Sequence, residues 1–225
     1  APAVAQQGSS DLSGYIDFRA ALADGQSSWL NGDYGKARYG GDRDFKLRGR
    51  FEVAEAAVIW RPRFSETMGA TVHLEYQPGQ DHAVDIIESY VSFKTPPGSF
   101  LRASGKVGVF YPPMSLENRA LGWETPYTIT PSAISTWIGE EIRTVGLEGQ
   151  VDWLGTRLGH DFDLQLTAAV FGWNDPAGTM IGAHGFAFHD RQTTLFGRAG
   201  AYQPDPAHPK KELFHEIDDR AGYYI

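Results

Sequence analysis

The chain has 225 residues, 20 Lys and Arg against 28 Asp and Glu, a net charge of −8 and no cysteine. With 41% hydrophobic and 21% charged residues it is not a disordered chain, which would be poorer in apolar residues and denser in charge. The acidic balance speaks against a nucleic-acid binder, and the lack of cysteine removes a disulfide scaffold, a thiolate zinc site and a cysteine nucleophile together.

Residues 1–12 open Ala1-Pro2-Ala3-Val4-Ala5, where Ala3-Val4-Ala5 has the small-x-small form that signal peptidase accepts. They read as an export-signal remnant or as a flexible N-terminus. From residue 13 to 225 a single all-β domain is expected. In 13–22, Ile16, Phe18, Ala20 and Leu22 alternate with Tyr15, Asp17, Arg19 and Ala21, the period-two pattern of a strand with one apolar and one polar face. The pattern recurs in 69–77 (Ala70, Val72, Leu74, Tyr76 against Thr71, His73, Glu75, Gln77) and in 100–111 (Leu101, Ala103, Val107, Val109 against Arg102, Ser104, Lys106). It recurs again in 142–153 (Val145, Leu147, Val151, Trp153) and 160–173 (Phe162, Leu164, Leu166, Ala168, Val170). Three weaker strands are expected over 48–62, 84–94 and 192–202. Glu55 falls on the face of Phe51 and Val53, and adjacent Ile86 and Ile87 break the phase, so each of the first two should carry a bulge or an edge effect.

These segments run for about 10 residues, close to the 9–11 that cross a bilayer at a tilt. No uninterrupted apolar run approaches the ~18 residues of a spanning helix, which excludes a helical membrane protein but not a membrane barrel. Tyr15, Trp60, Phe64, Tyr111, Trp153 and Trp173 lie near strand ends, as aromatic belts at bilayer interfaces require. With a periplasmic start, the long connections 23–47, 112–141 and 174–191 fall outside, and the short 63–69, 95–99 and 154–159 inside, the asymmetry of outer-membrane barrels. The short outer connection 78–83 and the long inner one, 203–219, depart from it. The expected fold is an antiparallel transmembrane β-barrel.

Ile87-Glu88-Ser89-Tyr90-Val91-Ser92-Phe93, followed by Gly105-Lys106-Val107-Gly108-Val109-Phe110-Tyr111-Pro112-Pro113-Met114-Ser115-Leu116-Glu117-Asn118, resembles the phosphate-selective porin family of Gram-negative outer membranes. The match is best over 83–118; Val107 and Val109 stand where that family more often has an aromatic, and no lysine run implies phosphate selectivity. The resemblance implies a porin-like channel for passive diffusion of small hydrophilic or anionic solutes. Members of that family are large barrels, so the chain, with about eight or nine strands at ~10 residues each, is expected to be the N-terminal portion of one. Ala221-Gly222-Tyr223-Tyr224-Ile225 reads as the start of a strand.

Selectivity in a pore comes from charges at its narrowest point. Arg102 and Lys106 share the polar face of one strand, and Arg19, Asp17, Glu88, Arg143 and Arg198 complete the candidate pore-lining set. Pro112-Pro113 ends its strand abruptly. The following loop, to 141, carries Leu116, Leu121, Trp123, Tyr127 and Trp137, and should fold inward to bury them. Its Glu117, Arg119, Glu124, Glu140 and Glu141 would then line a constriction. The seven histidines lack metal-ligand spacing and read as loop histidines, no Gly-x-Ser-x-Gly elbow occurs, and no catalytic residue, metal or cofactor is expected. Expected partners are outer-membrane lipid, small hydrophilic solutes and further copies of the chain in a trimer. The alternatives are a non-conducting outer-membrane barrel serving as adhesin or anchor, and a barrel-based enzyme.

Overall fold

The computed structural model describes residues 10–31, 33, 35–42, 44–80, 82–96, 98, 100–113, 122, 128, 132, 143–173, 175–177, 192–197 and 219–225. The protein is all-β: β1 (Ser10–Ala23), β2 (Arg48–Pro62), β3 (Met68–Tyr76), β4 (Val84–Lys94), β5 (Leu101–Phe110), β6 (Thr144–Trp153), β7 (Leu164–Gly172) and β8 (Gly222–Tyr224). They form one eight-stranded antiparallel sheet in unbroken chain order. Among the described residues there is no α-helix, only short 3-10 turns at Trp29–Asn31 and Gly155–Leu158. Among the described residues no helix is long and apolar enough to cross a membrane.

Seven strands lie close to where the period-two alternation puts them. The two phase breaks are bulges: the β1–β2 register shifts between Asp17 and Phe18, leaving Ala54 without a partner, and the β3–β4 register shifts between His73 and Leu74, leaving Ile87 without one. An added residue on one strand leaves the ladder locally and re-aims its neighbours; here that is how Glu55 comes to face the polar side.

Two expectations are corrected. The described strands make an open sheet, because β1 and β8 are its two edges and pair only with β2 and β7. The strand expected over 192–202 does not form over its described part, 192–197: the Leu195 and Phe196 N–H groups donate to Ile86 O and to the Asp85 side chain, and Gly197 N–H turns back to Thr194 O. The eighth strand is Gly222–Tyr224. Between β7 and β8 no further strand occurs among the described residues.

The apolar face of the sheet is the open one. Leu22, Phe51 and Leu166 are 71%, 77% and 60% exposed, whereas Glu55, His73 and Glu75 on the opposite face are each 1% exposed. Cross-strand pairs carry the apolar surface across the sheet: Val58 with Leu74, Val91 with Val107, Val107 with Leu147, Leu147 with Val170. Along the short-turn end Trp60, Phe64, Phe93, Phe100 and Phe162 all stand exposed, and Trp153 packs against His160 and Phe162. Tyr15 and Tyr111 are not part of this rim, since both face the polar side.

The short turn between β6 and β7 is tied by one carboxylate. Asp163 Oδ1 accepts from the Thr156 N–H and hydroxyl, both at 2.9 Å, and these bonds hold the exposed Asp163 below the usual carboxylate range. A carboxyl depressed in the fold contributes stability above its unfolded value and loses it as pH falls through the depressed one. Amide exchange at Thr156, compared between the parent and Asp163→Ala, is therefore expected to differ at neutral pH and to converge in acid.

Candidate functional site

The polar face is built from alternate residues of β1 to β7, and its two halves differ. Over β1–β3 it is an enclosed cluster of polar side chains. Tyr15 donates its hydroxyl to Glu55 Oε1, and Gln77 Nε2 bridges Glu55 Oε2 at 2.9 Å and Glu75 Oε1 at 2.8 Å. His73 Nε2 lies 3.6 Å from Glu75 Oε2. Burying such groups costs free energy unless they are hydrogen-bonded; the shared amide serves one oxygen of each carboxylate, while His73 Nε2 and Gln77 Oε1 meet no hydrogen-bond partner among the described residues.

Over β4–β7 the face is partly open. Lys106 Nζ lies 3.3 Å from Glu148 Oε1 and 4.4 Å from the Phe110 ring centroid, and the Tyr224 hydroxyl donates to Glu148 Oε2. The Lys106–Glu148 pairing follows from register, because the two are direct partners across β5 and β6. Towards the short-turn end an open groove of about 690 Å³ is lined by Arg61, Thr71, Tyr90, Ser92, Lys106 and Gln150 among others. It can hold water and small polar solutes against charged and hydroxyl groups.

At the long-loop end the face is covered. Arg143 and Asp175 form a fork with both side chains fully buried: Nε to Oδ2 at 2.8 Å and a terminal nitrogen to Oδ1 at 2.9 Å, with the Arg143 N–H also on Oδ2 at 2.8 Å. Arg143 also donates to Ile86 O at 3.3 Å and stacks over the Tyr111 ring. Trp173, in the left-handed region at φ 72°, turns the chain out of β7 so that Asp175 can reach Arg143. Gly122 is buried on the same face, where a Cβ would lie 2.5 Å from Tyr15 Cε1. Arg38 caps the β1–β2 side by donating to Ala54 O at 2.7 Å, and burial pushes the neighbouring Tyr39 hydroxyl up against the pull of that guanidinium.

Of the residues nominated as pore-lining, Lys106 borders the groove. Arg102 and its direct partner Asp152 lie on the polar face two pleats along β5–β6 from the Lys106–Glu148 pair, but Asp152 is taken by the Gln150 and Gln165 amides, and Arg102 Nε meets no acceptor among the described residues. Arg19 is paired with Asp17 at 2.5 Å, and Glu88 accepts the Tyr111 N–H at 3.1 Å. Arg143 is not offered to open space, being enclosed by its fork with Asp175. Arg198, Glu117, Arg119, Glu124, Glu140 and Glu141 lie outside the described residues. The sequence reading missed Asp175, Gln77 and Gln80; only Gln77 had a signal, its place on the polar phase of β3. It also took the histidines as loop residues, whereas His73 is enclosed on β3. Among the described residues no group of three or more His, Asp or Glu could hold a metal ion.

No protein-family model matches the chain, and neither a curated protein nor a solved structure matches it.

Proposed function

We propose that this sheet is part of the wall of a porin-like β-barrel of a bacterial outer membrane, through which small hydrophilic or anionic solutes diffuse passively. The observation that carries the reading is the inversion of the sheet: large apolar side chains stand open on one face while carboxylates, an imidazole and amides are enclosed on the other. A water-soluble sheet buries the first set and exposes the second; a membrane barrel does the reverse. The exposed aromatic rim at the short-turn end fits a bilayer interface, and the porin resemblance over 83–118 points the same way. In this reading the free edges of β1 and β8 are completed by further strands, because hydrocarbon does not tolerate an open ladder, and trimers are the expected assembly.

The cover over the polar face at the long-loop end favours, as a second reading, a non-conducting barrel acting as adhesin or anchor. Planar-bilayer recording separates the two. Stepwise conductance is expected, and Lys106→Glu should move the reversal potential towards cations, since it reverses the charge beside the groove. A silent bilayer would favour the second reading, and a chain that purifies as a monomer without detergent would defeat both.

A further inference from the structure

Thr194 is fully enclosed although it lies in a connection, and Thr193 and Leu195 are nearly so. The bonds that hold them converge from one short turn. Gln80, between β3 and β4, donates its amide to Gln192 O at 2.9 Å and accepts on Oε1 from the Thr194 N–H and hydroxyl, both at 3.1 Å. The next two residues continue the tie: Leu195 N–H donates to Ile86 O at 2.8 Å and Phe196 N–H to Asp85 Oδ2 at 2.7 Å. Asp85 is the direct partner of Glu75, so the segment lies over the polar face and not over the apolar one. Trp173 meets Phe196 edge-on at 6.0 Å, and Gln192 Nε2 donates to Gly122 O at 3.4 Å, which carries the cover on to Tyr15 of β1.

The geometry points to a latch: Gln80 clasps residues 192–197 across the long-loop mouth of the polar face, and the clasped segment narrows the lumen. The inference rests on the channel reading for the lumen, but not for the clasp. A carboxamide suits the task because one planar group presents a donor and a two-lone-pair acceptor together, matching a carbonyl and a Thr N–H and hydroxyl close by in the chain. Gly197 leaves it room. A Cβ there would overlap Gln80 Oε1 and Thr194 Oγ1, so Gly197→Ala dislodges the carboxamide without altering Gln80 itself. The shortness of the 77–83 connection, at odds with its neighbours, also becomes intelligible: it is the seat on which a distant segment closes.

The chain has no cysteine, so Leu195→Cys places a single thiol at an enclosed site outside the Gln80 contacts. In the full chain in lipid vesicles, this thiol is expected to react slowly with a hydrophilic thiol reagent. Adding Gln80→Ala or Gly197→Ala should accelerate labelling about tenfold or more, the effect of losing two or three neutral hydrogen bonds. The same two substitutions without the cysteine should raise single-channel conductance in planar bilayers. Equal labelling rates with and without Gln80→Ala would overturn the latch, and faster labelling at unchanged conductance would overturn its part in narrowing the lumen. A parent protein that never conducts sinks the channel reading, while the labelling rates still decide the latch.

Discussion

Asp175→Ala is expected to lower stability by about 3–5 kcal/mol, because it strands the Arg143 guanidinium in a site where both side chains are fully buried. The loss comes less from the attraction given up than from a charge left without its hydrogen-bond acceptors. Two controls make the cause specific. Arg143→Lys should fail to hold the parent stability, since an ammonium cannot fill the two-point fork. A combined Arg143→Met and Asp175→Leu replacement should recover most of what either single change loses, because an apolar pair of similar volume leaves nothing charged behind. Urea unfolding followed by tryptophan fluorescence in detergent micelles measures all of these. An Asp175→Ala midpoint equal to that of the parent would mean that solvent reaches the guanidinium.

Leu147→Arg is the second large effect, and it tests which solvent the open face meets. Leu147 is 60% exposed, lies mid-strand and sits between Val107 and Val170 on the neighbouring strands. On a water-facing sheet such a substitution is near neutral. On a lipid-facing one it costs about 2–4 kcal/mol near the bilayer midplane and falls towards zero at the interfaces. Refolding into lipid vesicles should therefore penalise Leu147→Arg strongly and Leu12→Arg, at the strand end, weakly. An equal and small effect at both positions would remove the membrane from the account.

The alternation that made the strands legible is a local property, and what it settled was local: which residues share a face, and that the phase breaks at Glu55 and at Ile86-Ile87. The β5–β6 register was not readable, because the connection at 111–143 is long and a turn type could not fix it. The pairing of Lys106 with Glu148, and with it the neutralisation of a nominated lumen charge, therefore emerged only in three dimensions. The enclosure of His73 and Glu75 was hidden for a related reason. Alternation put them on the polar face, but what encloses a polar face is other chain, and Gln80 meets Thr194 across a separation of 114 residues. The described part, 192–197, of the strand expected over 192–202 departs from that expectation on the same point: the Leu195 and Phe196 donors are taken by Ile86 and Asp85.

The unbroken neighbour order of the sheet also sets a sequence of assembly. The ladder between β2 and β3 closes only the short 63–67 turn, whereas β8 joins β7 across a sequence separation on the order of ten times longer, at ~2 kcal/mol more in closure entropy. That larger cost is met by three residue pairs, against a full-length ladder between β1 and β2. Hairpins with short turns, such as β2–β3 and β4–β5, thus close first, on the microsecond scale of hairpin formation, and the β7–β8 pairing comes late. An edge strand of the described sheet is therefore the one whose place in it is secured latest.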